Sequence, residues 1–197
     1  MPDEVGECIA QLVSLRGETT NCQRCTLAQG RKNVVFGVGN VARPPVAFVG
    51  EAPGANEDEA GQPFVGRSGR VLDEFITWMG YAREQVYILN PVMCRPPGNR
   101  KPQDDELAAC EPFFHEQLRL IRPQTIVTLG RVATSAVVGG QGGTLNALRG
   151  KWHDTEFGPA RVTYHPAFVL RNPAARNDVY ADLRAVRERL DAGSSSG

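Results

Sequence analysis

Val46-Ala47-Phe48-Val49-Gly50-Glu51-Ala52-Pro53-Gly54, followed after a short acidic stretch by Gly61-Gln62-Pro63-Phe64-Val65-Gly66, is the part of the chain that decides its architecture. A short unbroken apolar run that ends at glycine reads as a strand buried on both faces. The glycine- and proline-spaced segment then leaves the carboxyl end of that strand, where open α/β sheets place their ligands. Its acidic and aromatic side chains emerge there together.

Three further apolar runs repeat the pattern: Val86 to Asn90, Thr125 to Leu129 and Arg161 to Tyr164. Between them apolar side chains recur at helical spacing. Val71, Leu72, Phe75, Ile76 and Met79 predict a helix from Gly69 to Met79 with Ser68 as its cap. A longer helix is expected from Gln103 to Leu120, with Asp104 and Asp105 suited to its start. A shorter one follows Gly130 over Arg131 to Val138, and Val179, Leu183, Val186 and Leu190 keep register in a closing helix from Asp178 to Leu190. Near the N-terminus, Val5, Cys8, Ile9, Leu12 and Val13 predict an amphipathic helix over Glu4 to Leu15 with that stripe on the core. Lys32 to Gly39 reads as an extended segment ended by Arg43-Pro44-Pro45. Strands alternating with helices imply a parallel sheet covered on both faces. The expected fold is therefore α/β, a three-layer α/β/α sandwich around a central four-stranded parallel sheet. It is expected to form one domain over residues 1–191, with a disordered Gly/Ser-rich tail over 192–197.

Lys+Arg and Asp+Glu number 22 each, so the formal net charge is zero and the surface as a whole is no polyanion binder. Contact with nucleic acid must come from a local patch. Lysine occurs only at Lys32, Lys101 and Lys151, and the remaining basic residues are arginine, which suits bidentate phosphate contacts, although a high-GC genome gives the same bias. No stretch approaches the roughly 18 to 20 apolar residues that cross a bilayer, and the N-terminal MPDEVGEC is acidic where a signal peptide is basic. A cytoplasmic monomer without membrane contact is the expectation. The cysteines number 5, an odd count that argues against a closed disulfide framework, as a reducing compartment would.

Taken one at a time, the polar candidates have ordinary explanations. A lone GxxPG is a turn, Glu51, Glu57, Asp58 and Glu59 form a run of the kind usually found on a solvated surface, and a single Phe64 belongs by default to a core. Asn90, at the end of the second apolar run, can terminate a strand by bonding its own backbone. His165 before Pro166 can simply open a helix. His115 falls within a helix and His153 in a loop, so neither is given a role.

Their combination is more specific. GEAPGANEDEAGQPFVGRSG, NCQRCTLAQGRKNVVFGVGN upstream of it, YILNPVMCRPPGNRKP, LRGKW and TYHPAFVLRNP together resemble, in order, the motifs of the family 4 uracil-DNA glycosylases, the iron–sulfur branch of that superfamily. The resemblance covers nearly the whole chain. It implies hydrolysis of the N-glycosidic bond of deoxyuridine in DNA, releasing uracil and leaving an abasic site for base excision repair. Phe64 would stack on the extruded base, Gly50, Glu51 and Ala52 would line the uracil pocket, and Glu57 would lie near the base, the attacking water and C5. Asn90 would read the base, since an amide offers a donor and an acceptor that match uracil O4 and N3–H whereas cytosine reverses the pattern. His165 would lie near uracil O2 and stabilise the charge that gathers as the bond breaks. The best-known superfamily members carry an aspartate at the position of Ala52 to orient the water; alanine cannot, so a glutamate or the backbone must. Phe168 to Asn172 resembles the loop that enters the duplex, with Leu170 as apolar wedge and Arg171 as phosphate partner. Ser68 and the Arg95 to Lys101 loop are further backbone clamps.

Cys22 and Cys25 form a CxxC, and Cys94 and Cys110 stand far downstream. Four thiolates suit structural zinc or an iron–sulfur cluster alike, although a common zinc ribbon shows two CxxC pairs. The resemblance matches these four residues to the ligands of a structural 4Fe-4S cluster, leaving Cys8 to pack on the first helix. A superfamily branch that captures DNA covalently carries a histidine in an inserted KRRIH loop; Arg95 to Asp105 contains none, which favours turnover. An iron–sulfur redox protein would account for the cysteines but not for Phe64, Asn90 and His165. A nucleotide-binding module without catalysis would need only the glycine run, which no GK[ST] phosphate loop follows.

Overall fold

The computed structural model describes residues 2–139 and 143–194. The glycine-bounded run forms strand β2 (Val46–Val49), entirely buried. On one side it pairs in parallel with β3 (Tyr87–Leu89) and on the other with β4 (Thr125–Leu129), which in turn pairs in parallel with β6 (Gly158–Thr163). These are the four parallel strands expected. The sheet nonetheless has six members, because β1 (Val38–Gly39) adds antiparallel to β3 and β5 (Trp152–Thr155) adds antiparallel to β6, in the order β1-β3-β2-β4-β6-β5. Both additions are edge strands, β1 only two residues long and β5 half-polar, and β5 turns directly into β6 through a tight hairpin at Gly158, whose φ of 113° few side chains tolerate.

Strand alternation explains the layers. Ala47, Val49, Tyr87, Leu89 and Ile126 point to one face, where they pack with Leu12 and Leu15 of helix α1 (Pro2–Thr20). On that face they also meet Phe113, Phe114 and Leu118 of α4 (Asp104–Ile121) and Ala133 and Val137 of α5 (Arg131–Val138). Val46, Phe48, Val86, Ile88, Val127 and Leu129 point to the other face. There they meet α3 (Arg67–Trp78), Val169 of α7 (Pro166–Arg171), and Val179, Leu183 and Val186 of α8 (Arg176–Ser194). The period of two in the strands thus feeds two separate helical layers.

Four expectations need correction. Ser68 does not cap α3: the helix begins at Arg67 with Gly66 as N-cap and no side-chain cap bond, so Ser68 lies in its first turn. The stripe expected to face the core from α1 is split, since Leu12 and Leu15 are buried while Val5, Ile9 and Val13 are exposed. The segment Phe168 to Asn172 is not a loop, because its residues through Arg171 belong to α7. The tail expected to begin at Ala192 is helical as far as Ser194, and its remaining residues 195–197 lie outside the described residues. Two short helices, α2 (Ala55–Ala60) and α6 (Leu145–Leu148), carry too few apolar positions for periodicity to reveal them. Among the described residues, no helix is long and apolar enough to cross a membrane.

Candidate active site

The carboxyl ends of β2, β3 and β6 open onto one cavity of about 640 Å³. Glu51 and Ala52 follow β2, Asn90 follows β3 and His165 stands two residues beyond β6, and all four line it. Glu57, Phe64, Ser68 and Arg171 complete the set of candidates brought to the wall. Gly50 is not itself on the wall but two of them pack directly against it: a Cβ there would lie 2.3 Å from Asn90 Oδ1 and 2.5 Å from the Phe64 ring. Leu170 is not on the wall but stands exposed beside it, as does Val65. Asn56, Arg67, Asn99 and Phe168 also line the cavity. Sequence reasoning passed over Asn56 and Arg67, although Arg67 directly follows the glycine run, and it named Phe168 and Asn99 only within the duplex-entering and clamp segments.

Asn90 is 3% exposed, and its Oδ1 is buried with no hydrogen-bond partner. Leaving such an acceptor unpaired costs about 1–3 kcal/mol, and the residue that carries it belongs to the cavity wall.

His165 caps α7. Its Nδ1 accepts the Ala167 backbone N–H at 3.0 Å, which places the remaining ring proton on Nε2 in the neutral form. Enclosure of the ring, assisted by the charge of Arg171 and opposed by that of Glu57, lowers its pKa to about 4. At neutral pH it is therefore an uncharged N–H donor. The Phe64 ring lies close by, with centroids 5.7 Å apart and planes at 32°.

Phe64 itself sits at φ 54°, in the left-handed region that non-glycine residues avoid. Two devices hold it there. Glu57 Oε1 accepts the N–H groups of Val65 at 3.0 Å and Gly66 at 2.9 Å, while Oε2 accepts that of Gly54 at 3.2 Å. Beneath it, Gly69 of α3 lets the backbone pass: a Cβ would fall 2.0 Å from the Phe64 carbonyl oxygen. The carboxylate of Glu57 is thus committed to the loop backbone, even though it lines the cavity. Glu51 makes no side-chain hydrogen bond among the described residues, and burial raises its pKa against the opposing charge of Lys101.

The Arg95 to Lys101 loop is fastened to the start of α4, where Arg100 pairs with buried Glu106 through contacts of 2.6 and 2.9 Å. Arg95 Nε donates to Asn99 Oδ1 at 2.8 Å, and Asn99 faces the cavity.

All five cysteines are free. Cys94 and Cys110 are buried in the core layer of α1 and α4, and Cys22, Cys25 and Cys8 pack against the same layer half-buried. Burial pushes the Cys94 thiol up and that of Cys110 to about 12, and Cys22 and Cys25 lie near enough to contribute to both shifts. Arg31 Nη1 donates to Cys94 Sγ at 3.5 Å. Among the described residues, no three Cys, His, Asp or Glu side chains close on a point that would hold a single ion. Four free thiols that share one neighbourhood are a donor set of the kind that holds an iron–sulfur cluster. Cys8 is separate, its thiol directed at the Leu120 and Val41 carbonyl oxygens at 3.4 and 3.6 Å.

Comparison with known proteins agrees with this geometry. The family model described as the uracil DNA glycosylase superfamily matches residues 36–185. A Type-4 uracil-DNA glycosylase of Saccharolobus solfataricus is 42% identical over 183 residues, covering 89% of this chain and 84% of that protein. One from Thermotoga maritima is 43% identical over 165 residues, covering 83% and 84%. A Type-5 uracil-DNA glycosylase of Pyrobaculum aerophilum is 36% identical over only 86 residues, or 42% of this chain.

Proposed function

The chain belongs to the uracil DNA glycosylase superfamily and is a uracil-DNA glycosylase, a hydrolase of the N-glycosidic bond of uracil in DNA; we propose that it performs this reaction in the cavity at the ends of β2, β3 and β6. A base inside a duplex is out of reach of such a cavity, so the nucleotide is first turned out of the helix. Phe64 stacks on the extruded uracil, and Asn90 accepts N3–H with its unpaired Oδ1 while its amide donates to O4. Cytosine presents no donor at that ring position, and a buried amide facing the wrong edge would leave two polar groups unsatisfied. As the glycosidic bond lengthens, negative charge gathers on the base, and His165 Nε2–H donates to O2. A neutral donor already aimed needs no reorganisation at that moment.

Of the two loop glutamates, Glu51 is the one left to act on water. Glu57 spends both oxygens on the backbone, whereas the desolvated carboxylate of Glu51 holds the attacking water and takes its proton as the abasic sugar forms. Ala52 contributes only space. Leu170 acts as the wedge that replaces the flipped base. Arg171, together with Ser68 in the first turn of α3, holds the flanking phosphates, where the helix N-terminus favours an anion. Glu57, by fixing the backbone of its loop, shapes the wall that excludes the thymine methyl.

Cys22, Cys25, Cys94 and Cys110 would hold a 4Fe-4S cluster. Bound there, it supplies a cross-link and no redox step. It would join the segment after α1 to the start of the Arg95 loop and to α4, in a single domain over residues 1–191 that works as a cytoplasmic monomer. A brown protein with stoichiometric iron and sulfide supports this assignment, and colourless protein with stoichiometric zinc overturns it.

The observation that supports the reading is Asn90 on the cavity wall with Phe64, its Oδ1 buried and without a hydrogen-bond partner. A labelled oligonucleotide with one uracil, incubated with the protein and then treated with alkali, should break at that site. Intact strand in the presence of folded protein would sink the proposal, and a DNA complex that survives denaturant would point to covalent capture instead.

A further inference from the structure

We propose that Asp58 is a positioning residue for uracil excision, which fixes the loop presenting Phe64 by tying it to residues 31–33 behind the cysteine pair. The inference rests on the stacking role of Phe64 given above.

Asp58 is 2% exposed, whereas its neighbour Glu59 reaches solvent. A carboxylate so enclosed must be satisfied by donors, and here they come from a distant segment. Its Oδ1 accepts the backbone N–H groups of Lys32 at 2.9 Å and Asn33 at 3.1 Å. Asn33 returns the contact, its Nδ2 donating to the Asp58 carbonyl at 2.8 Å and to that of Glu59 at 3.3 Å. The adjacent residue of α2, Glu57, makes its three bonds on the pocket side, to Gly54, Val65 and Gly66. Helix α2 is therefore a clasp, with residues 31–33 on one side and the backbone around Phe64 on the other.

A six-residue helix has no stability of its own and keeps its place only through such ties. Phe64 at φ 54° likewise persists only while its surroundings over-determine it. Cutting the tie to residues 31–33 frees α2 to shift, Glu57 shifts with it, and Phe64 relaxes toward negative φ and off the face of the base. The tie also has a fixed far end, since Arg31 donates to Cys94 Sγ at 3.5 Å and to the Thr20 carbonyl at 3.3 Å. The cysteine centre and the stacking ring are thereby connected by a short series of hydrogen bonds.

A double-mutant cycle on uracil release from an oligonucleotide separates positioning from simple stability. Asp58→Ala should lower kcat/KM roughly tenfold well below its melting temperature, a loss within the usual coupling of neighbouring residues. In a Phe64→Ala background the same change should cost less than about twofold, because the ring it positions is gone. Asp58→Asn should retain most activity, since an amide oxygen accepts both N–H groups. Equal losses in both backgrounds, or Asp58→Asn as damaging as Asp58→Ala, would overturn the proposal. If Asp58→Ala does not fold, Asn33→Ala is run through the same cycle: it removes the returning half of the tie, the Nδ2 bonds to the Asp58 and Glu59 carbonyls, and should show the same dependence on Phe64 with a smaller loss. Should Phe64→Ala alone leave uracil release unchanged, the stacking role fails, an outcome distinct from additive losses.

Discussion

At the scale of single residues, the pocket depends on what is absent as much as on what is present. Gly50 must lack a side chain, because any Cβ would collide with Asn90 and Phe64, the two residues proposed to hold the base. Gly50→Ala should therefore destabilise by about 1–3 kcal/mol through overpacking and abolish uracil release in protein that is still folded, which thermal melts and an excision assay would show together. His165 makes the sharper prediction. Its replacement by Gln, which keeps an N–H but not its placement, should cost about 10²–10³ in kcat, the usual effect of removing one oxyanion donor. With a folded pKa near 4 against an ordinary 6.5, the wild-type rate should show no inflection near pH 6.5. The sign for stability follows from proton counting. Between about pH 6.5 and 4 the unfolded chain binds a proton that folded His165 refuses, so stability is full above 6.5 and falls as the pH drops toward 4. The melting temperature of wild type relative to that of His165→Gln should be constant above about pH 6.5 and fall as the pH drops toward 4.

At the scale of elements, the end of β6 is the most heavily braced part of the site. Asp182 of α8 accepts from Arg149 at 2.8 and 3.0 Å and from Thr163 at 2.8 Å, with Arg161 at 3.5 Å. Arg149 in turn lies 4.2 Å from the centre of the Tyr164 ring, next to His165. Asp182→Ala should cost about 3–5 kcal/mol, because it strands largely buried arginines, whereas cutting the exposed Arg176–Glu74 pair should cost under about 1 kcal/mol. Denaturant titrations compare the two directly. The elements readable in the sequence were those with a clear period: β2, β4, α3, α4 and α5 stand within two residues of their expected bounds. The edge strands were hidden because pairing along one edge holds them, two residue pairs for β1 and four for β5, not an apolar pattern. In α1, periodicity identified the helix but not its face, since Val5, Ile9 and Val13 continue the apolar stripe on the side away from the sheet. Among site residues, Asn90 and His165 could be placed from strand ends. The two jobs of the acidic run could not, because Glu57 and Asp58 differ only in which backbone groups they meet after folding.

At the scale of the whole molecule, a chain of zero net charge approaches DNA through a local cluster, with Arg67, Ser68 and Arg171 around one cavity. Salt should therefore weaken DNA binding with a shallow slope, and Arg171→Ala should reduce that slope by about one without altering the preference for uracil. Cys22, Cys25, Cys94 and Cys110 lie on the α1 and α4 layer, while Phe64 packs in the opposite core layer, so the cluster proposed for them would act by holding segments together. Cys94→Ser should lose the brown colour and lower the melting temperature. The central claim concerns the sheet's carboxyl edge: that Asn90 reads the extruded base through an acceptor left free for it. Release of uracil and of cytosine from matched oligonucleotides, by wild type and by Asn90→Asp, tests this most directly. Wild type should release uracil and leave cytosine untouched, while Asn90→Asp should lose most uracil release and most of that discrimination. Discrimination against cytosine unchanged in Asn90→Asp would contradict it.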